Sequence, residues 1–277
     1  MSLKLLAALA IAAVAAVAIL GYFRLKQQPR FPYMAHALPA ASYDAMAARP
    51  GWKGETLEVA PGVRLRGLVR EPSGPGQPWV LFFDGNSGTM LRDGQEFLDA
   101  LCADTGWGGA VWAYRGFDSS DGTPDADAFV DDGVKAYGTL LERRGVSPGD
   151  VHVVGFSMGT GVAAGVAARA APHGPATLTL LAPMTVLYHG ERTQLLLERH
   201  ETLKWLPAVT SPVLVIHGLE DATLPVENGR AVATALGARA RLVELPGVGH
   251  DDVRTAPAAQ AALRGFISSH RRAGATE

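Results

Sequence analysis

The chain has 277 residues, enough for one large α/β domain with a sizeable core or for two small ones. Its formal net charge is −2 and its basic residues are dispersed, so nothing marks a nucleic-acid surface. Cys102 is the only cysteine, which excludes an intramolecular disulfide and a cysteine-rich metal site.

The first feature along the chain is an uncharged run from Leu5 to Phe23, rich in Ala, Leu, Ile and Val. At a helical rise of 1.5 Å per residue it spans about 28 Å, close to the hydrocarbon thickness of a bilayer. A cleaved signal peptide is the competing reading, with Ala35-His36-Ala37 as a small-residue cleavage motif. That motif lies well past the apolar run, which is followed at once by Arg24, Lys26 and Arg30. Residues 1–26 are therefore read as a retained single-pass transmembrane anchor. Lys4 and the α-amino group flank one side and three basic residues flank the other, a bias that leans the following domain towards the cytoplasm.

Residues 27–54 carry prolines and scattered aromatics without a sustained period and read as a juxtamembrane connector, with a short helix near Tyr43 to Ala48. The single large domain is expected over residues 55–272. Glu55–Val59 and Val63–Val69 flank the turn signal Ala60-Pro61-Gly62 and predict an opening antiparallel hairpin. Short apolar runs follow at Trp79–Phe83, Ala110–Tyr114, Val151–Val154, Ala176–Leu181, Val213–His217 and Ala240–Leu245. Between them, Pro124–Arg144 has Val130, Val134, Tyr137 and Leu141 at helical spacing, with acidic residues near its start and arginines near its end. Strands alternating with helices predict a mostly parallel central sheet covered on both faces.

Gly155-Phe156-Ser157-Met158-Gly159 places one serine between two glycines, directly after the Val151–Val154 strand and before a small-residue helix over Thr160–Ala171. A sharp strand-to-helix turn leaves no room for flanking side chains, which the glycines supply, and it presents the serine at its apex. Asp221 follows the Val213–His217 strand, and His250 lies in a Gly-rich loop after the last strand. Taken singly, Asp221 is a helix cap for the segment beginning near Val226 and His250 a solvated loop residue. Together, Ser157, Asp221 and His250 run in the order Ser…Asp…His, each just after a predicted strand. A serine hydroxyl becomes nucleophilic when an imidazole accepts its proton and a carboxylate orients that imidazole. Glu220 is the neighbouring alternative to Asp221, and His217 reads as a structural residue at its strand end. For an oxyanion, the donors expected are the N–H of Met158 and an N–H from the loop after Phe83, with Asn86 ahead of Ser87.

From Phe82 to Asp252 these motifs form an ordered set: the strand-end Gly85-Asn86-Ser87-Gly88, Tyr114-Arg115-Gly116-Phe117, Gly155–Gly159, His217-Gly218 with Asp221, and Gly249-His250 with Asp252. The set resembles the α/β-hydrolases, and most of all the membrane-anchored BEM46-like/ABHD13-type branch of serine hydrolases. The resemblance covers nearly the whole chain beyond the connector. It implies an α/β-hydrolase fold with a mostly parallel sheet, helices on both faces and a short cap segment. In two places the chain departs from that pattern. Asp84 stands where the family usually has His before the oxyanion-loop glycine, and Asp118 stands where it commonly has Gly. Pairing of Asp84 with Arg115 is expected, so that the carboxylate does not oppose a developing oxyanion.

Residues 183–211 are where such folds insert a cap, and Leu195, Leu196, Leu197, Leu203, Trp205 and Leu206 offer apolar surface there. A small lid and plain packing onto the sheet remain alternatives. The chemistry expected is attack of Ser157 on an ester or thioester carbonyl, giving an acyl-enzyme that His250 helps water to hydrolyse. It needs no cofactor and no metal. A small acyl-ester or lipid-like substrate is the expected partner, alongside the membrane through the N-terminal helix, with no nucleic acid; the oligomeric state is open. A serine peptidase or amidase, and a catalytically silent membrane-tethered binding protein, are the alternatives. A dehalogenase is disfavoured, because its elbow would carry a carboxylate.

Overall fold

The computed structural model describes residues 14–21, 33–102, 104–185 and 202–271. The chain divides into two units, residues 1–33 with 188–198 and residues 34–187 with 199–277. In the first, residues 14–21 are helical with Val14, Val17, Ile19 and Leu20 exposed. The rest of the predicted 5–23 span lies outside the described residues, among which no helix is long and apolar enough to cross a membrane.

The second unit holds one sheet of eight strands: β1 (Trp52–Ala60), β2 (Val63–Arg70), β3 (Trp79–Phe83), β4 (Gly108–Trp112), β5 (Val151–Phe156), β6 (Thr177–Leu181), β7 (Val213–Gly218) and β8 (Ala240–Leu245). Their spatial order is β1-β2-β4-β3-β5-β6-β7-β8. β1 pairs antiparallel with β2, β2 antiparallel with β4, and all remaining pairs are parallel. Every residue of β3, β4, β5, β6 and β7 is buried, as required of strands covered on both faces. The outer strands β1 and β8 are mixed, with apolar positions inward and charged ones at the surface.

The helices are α1 (Ala40–Ala47), α2 (Met90–Cys102), α3 (Ala126–Arg144), α4 (Gly159–Arg169), α5 (Glu227–Leu236) and α6 (Pro257–Ser269). α2 packs against β3, β4 and α6, whereas α3 and α4 pack against each other, with α4 lying on β3, β5 and β6. Stacked rings lock both layers to the sheet: Phe82 on Phe97 at 4.2 Å between centroids, and Tyr114 on Phe129 at 4.5 Å. α3 starts two residues later than its pattern predicts. Asp125 is its N-cap, accepting the Ala128 N–H at 2.8 Å, so Pro124 stays outside. β4 is shifted two residues towards the N-terminus of the predicted run, because it takes its register from β3, with Trp79 opposite Gly108 and Phe82 opposite Val111.

From Met34 onward the expected connector belongs to the sheet-bearing unit. The Tyr43 hydroxyl donates to the Gly67 carbonyl at 3.0 Å, Trp52 Nε1 to Asp99 at 2.8 Å, and Arg49 pairs with Asp99 at 2.7 Å. The domain therefore extends N-terminal to residue 55, anchored on β2 and α2. Of the predicted cap, residues 186–201 lie outside the described residues. Its described end packs onto α4: Thr202 Oγ1 donates to the Met184 carbonyl at 2.6 Å and bonds Thr160 Oγ1 at 2.9 Å, and Leu206 is buried.

Candidate active site

β3 has β4 on one side and β5 on the other, so the chain winds in opposite directions from it. In open parallel sheets this switch point opens a crevice beyond the carboxyl ends of the strands. The loops leaving β3 and β5 face that crevice. Ser157 lies between β5 and α4 with φ +51°, a left-handed conformation that a non-glycine residue adopts only when its surroundings impose it. The imposition is visible at its flanks. A Cβ at Gly155 would sit 2.5 Å from the Gly159 carbonyl oxygen, and one at Gly159 would sit 2.2 Å from the Phe83 carbonyl oxygen.

His250, from the loop after β8, places Nε2 3.0 Å from Ser157 Oγ and Nδ1 2.7 Å from Asp221 Oδ2. Asp221, from the loop after β7, accepts the Thr223 and Leu224 N–H groups on its other oxygen at 2.9 and 2.7 Å. Burial alone would raise the Asp221 carboxyl, but hydrogen bonds from His217, His250 and the Leu224 amide outweigh it and hold the group well below the usual carboxylate range. With that carboxylate ionised, His250 donates Nδ1–H to it and turns the Nε2 lone pair towards the serine hydroxyl. The structure thus brings Ser157, Asp221 and His250 together. Glu220 points elsewhere, accepting the Val248 N–H at 3.0 Å. His217 has an unforeseen contact: its buried Nε2 donates to the Leu224 carbonyl at 2.8 Å and lies 3.3 Å from Asp221 Oδ2. It buttresses the loop that carries the carboxylate.

Met158 caps the N-terminal end of α4. Across from it, a Cβ at Gly85 would stand 3.1 Å from Ser157 Cβ, so the loop after β3 lies directly over the serine. The Gly85 N–H is engaged by Asp84 Oδ1 at 2.8 Å. The Asn86 side chain turns away, its Oδ1 accepting the Met34 N–H at 2.8 Å, and the Ser87 hydroxyl is bonded to Asp93 at 2.5 Å.

The expected Asp84–Arg115 pair does not form. Arg115 instead binds Asp132 of α3 through Nε and Nη2, at 2.8 and 2.6 Å. The cation beside Asp84 is Arg254, 3.4 Å from its Oδ1. Asp118 has a separate task. In a left-handed conformation at φ +44°, it accepts the Leu91 N–H at 2.6 Å and so serves the start of α2. Cys102 is no rival nucleophile, since burial pushes its thiol up to about 12. Among the described residues no group of three or more His, Cys, Asp or Glu is arranged to hold a metal ion.

Residues 78–197 match the family described as alpha/beta hydrolase fold, and residues 197–274 that described as TAP-like protein. The uncharacterized protein Rv2307c of Mycobacterium tuberculosis is 30% identical over 263 residues, covering 91% of each chain. The chain belongs to the α/β-hydrolase family. The human alpha/beta hydrolase domain-containing protein 17B is 25% identical over 198 residues, 70% of this chain and 68% of that one. An esterase of Pyrococcus furiosus, Pf2001, shares the fold with a TM-score of 0.68 at 14% identity, covering 86% of this chain and 97% of that one. The α/β-hydrolase fold thus accounts for the mostly parallel eight-stranded sheet and its order.

Proposed function

We propose that this α/β-hydrolase is a serine hydrolase of carboxylic esters or thioesters, working through Ser157, His250 and Asp221. The single observation that carries the reading is His250 bridging Ser157 Oγ at 3.0 Å and Asp221 at 2.7 Å. His250 Nε2 takes the serine proton as Oγ attacks the carbonyl carbon, and Asp221 stabilises the imidazolium that results. The tetrahedral oxyanion is received by the backbone N–H groups of Met158 and Asn86. Collapse expels the alcohol or thiol, protonated by His250. Water then attacks the acyl-enzyme with its proton passing to His250, and release of the acid restores the serine. A peptide or other amide is the harder variant of the same sequence of steps.

Residues 1–26 are, in the same reading, a single-pass anchor with the domain on the cytoplasmic side, supported by the apolar Leu5–Phe23 run and the basic residues after it. Acyl or lipid-like substrates at a membrane surface fit that placement. A catalytically silent binding protein is favoured by one observation, the buried Asp84 carboxyl beside the oxyanion loop. Fluorophosphonate labelling separates the two. Wild type is expected to label and Ser157→Ala to lose the label, together with about five to six orders of magnitude in ester turnover. Folded wild-type protein that neither labels nor turns over would overturn the enzyme reading.

A further inference from the structure

Asp84 is fully enclosed at the foot of the oxyanion loop, and its Oδ2 finds no hydrogen-bond partner. Its own backbone is fixed: the carbonyl accepts the Tyr114 hydroxyl at 2.9 Å and lies against the start of α4 at Gly159. A second carboxylate, Asp93, holds the far side of the same loop. It accepts the Ser87 hydroxyl at 2.5 Å and the Thr89 hydroxyl at 3.0 Å. Both carboxylates converge on one cation. Arg254 Nη1 is 3.4 Å from Asp84 and 3.8 Å from Asp93, while Nη2 is 3.4 Å from Asp251. The guanidinium lies 4.7 Å over the ring of Phe156, the residue before the nucleophile, and its side chain is 15% exposed.

Arg254 also sits in the short Asp252–Arg254 turn just after His250. One side chain therefore links the histidine loop, the elbow and the oxyanion loop. A carboxylate left unpaired at this buried position would repel the negative charge developing on the substrate oxygen, since such repulsion is weakly screened away from water.

We propose that Arg254 is a positioning residue for the oxyanion hole: seated on Phe156, it holds Asp84 and Asp93, fixes residues 84–89 over Ser157 and offsets the Asp84 charge. This rests on the serine-hydrolase reading. It assigns a task to Asp84, the position where the resemblance leads one to expect His: here an acid is paired with an arginine from a distant loop.

A double-mutant cycle tests it with p-nitrophenyl butyrate as the probe, on the full chain. Arg254→Met is expected to lower kcat about ten- to a hundredfold with KM nearly unchanged, because the loop loses its anchor and Asp84 its counter-charge. Removing the carboxylate as well, in Arg254→Met/Asp84→Asn, is expected to recover about tenfold over Arg254→Met alone. Arg254→Lys, which keeps the charge but not the fork, is expected to fall between. Recovery in the double variant cannot come from misfolding. Strictly additive losses, or a change confined to KM, overturn the proposal. Hydrogen exchange of the peptide covering residues 85–89 supplies a readout independent of turnover: Arg254→Met is expected to speed it, and unchanged exchange counts against the proposal. If wild type neither labels nor turns over, the serine-hydrolase reading falls while the exchange result still decides whether Arg254 holds the loop.

Discussion

Two carboxyl groups near Ser157 are pushed in opposite directions. Burial drives Asp84 up to about 7, with Arg254 and the Gly85 N–H pulling the other way and Asp93 and Asp118 adding to the rise. An unfolded aspartate ionises near pH 4. Between about pH 4 and 7 the folded protein therefore holds a proton that the unfolded chain has released, so stability from this group falls as pH rises through that window. The wild-type melting temperature is expected to decline more from pH 5 to pH 8 than that of Asp84→Asn; parallel profiles would refute the assignment. Asp221 has the reverse sign. Held low by His217, His250 and the Leu224 amide against the pull of burial, it contributes stability above the unfolded value and loses it only in strong acid. Ser157, Asp221 and His250 were readable because each follows a short apolar strand. The task of Arg254 and the partners of His217 were not, because an arginine within a turn and a structural histidine at a strand end carry no sign of what they will touch. Their roles exist only once β7, β8 and the elbow are adjacent.

The elements show the same division between local and non-local causes. β3 is a continuous apolar run, and β5 and β7 are broken only by His152 and His217, a composition that places them in the covered middle of a parallel sheet. α2 has no place among the predicted helices although Met90, Leu91, Phe97, Leu98 and Leu101 recur at helical spacing and are all buried along it, so its signal lies in the sequence. The elbow is the element with least tolerance. With the Phe83 and Asp84 carbonyl oxygens 2.2 and 2.5 Å from a Cβ at position 159, backbone rather than a movable side chain meets the added atom. Gly159→Ala is expected to destabilise the fold by about 1–3 kcal/mol or more and to dislodge the oxyanion loop. Urea unfolding together with ester turnover checks this, and a wild-type midpoint would show that the loop can retreat freely.

For the whole molecule, the sequence conveyed the alternation of strands and helices and hence the family. It did not convey where the domain begins. Residues 34–54 lack periodicity because their order comes from long-range bonds, Tyr43 to Gly67 and Trp52 to Asp99, rather than from a pattern of their own. The proposed anchor over the Leu5–Phe23 run, with the domain on the cytoplasmic side, is open to a direct test. A reporter fused after Gln28 is expected to show no alkaline phosphatase activity, and activity there would reverse the assignment.

Where the N-terminal chain enters the domain has a mechanical consequence. The Met34 N–H grips the Asn86 side chain at 2.8 Å, and Leu38 is clasped by Ser119 through both its N–H and its carbonyl, at 2.9 and 3.0 Å. Tension applied to the chain ahead of Met34 loads the oxyanion loop first and the Ser119 clasp next, before any strand of the sheet feels it. The entry point is a tether fastened to the rim of the crevice, so a pull on the N-terminus is felt earliest at the loop that lies over Ser157.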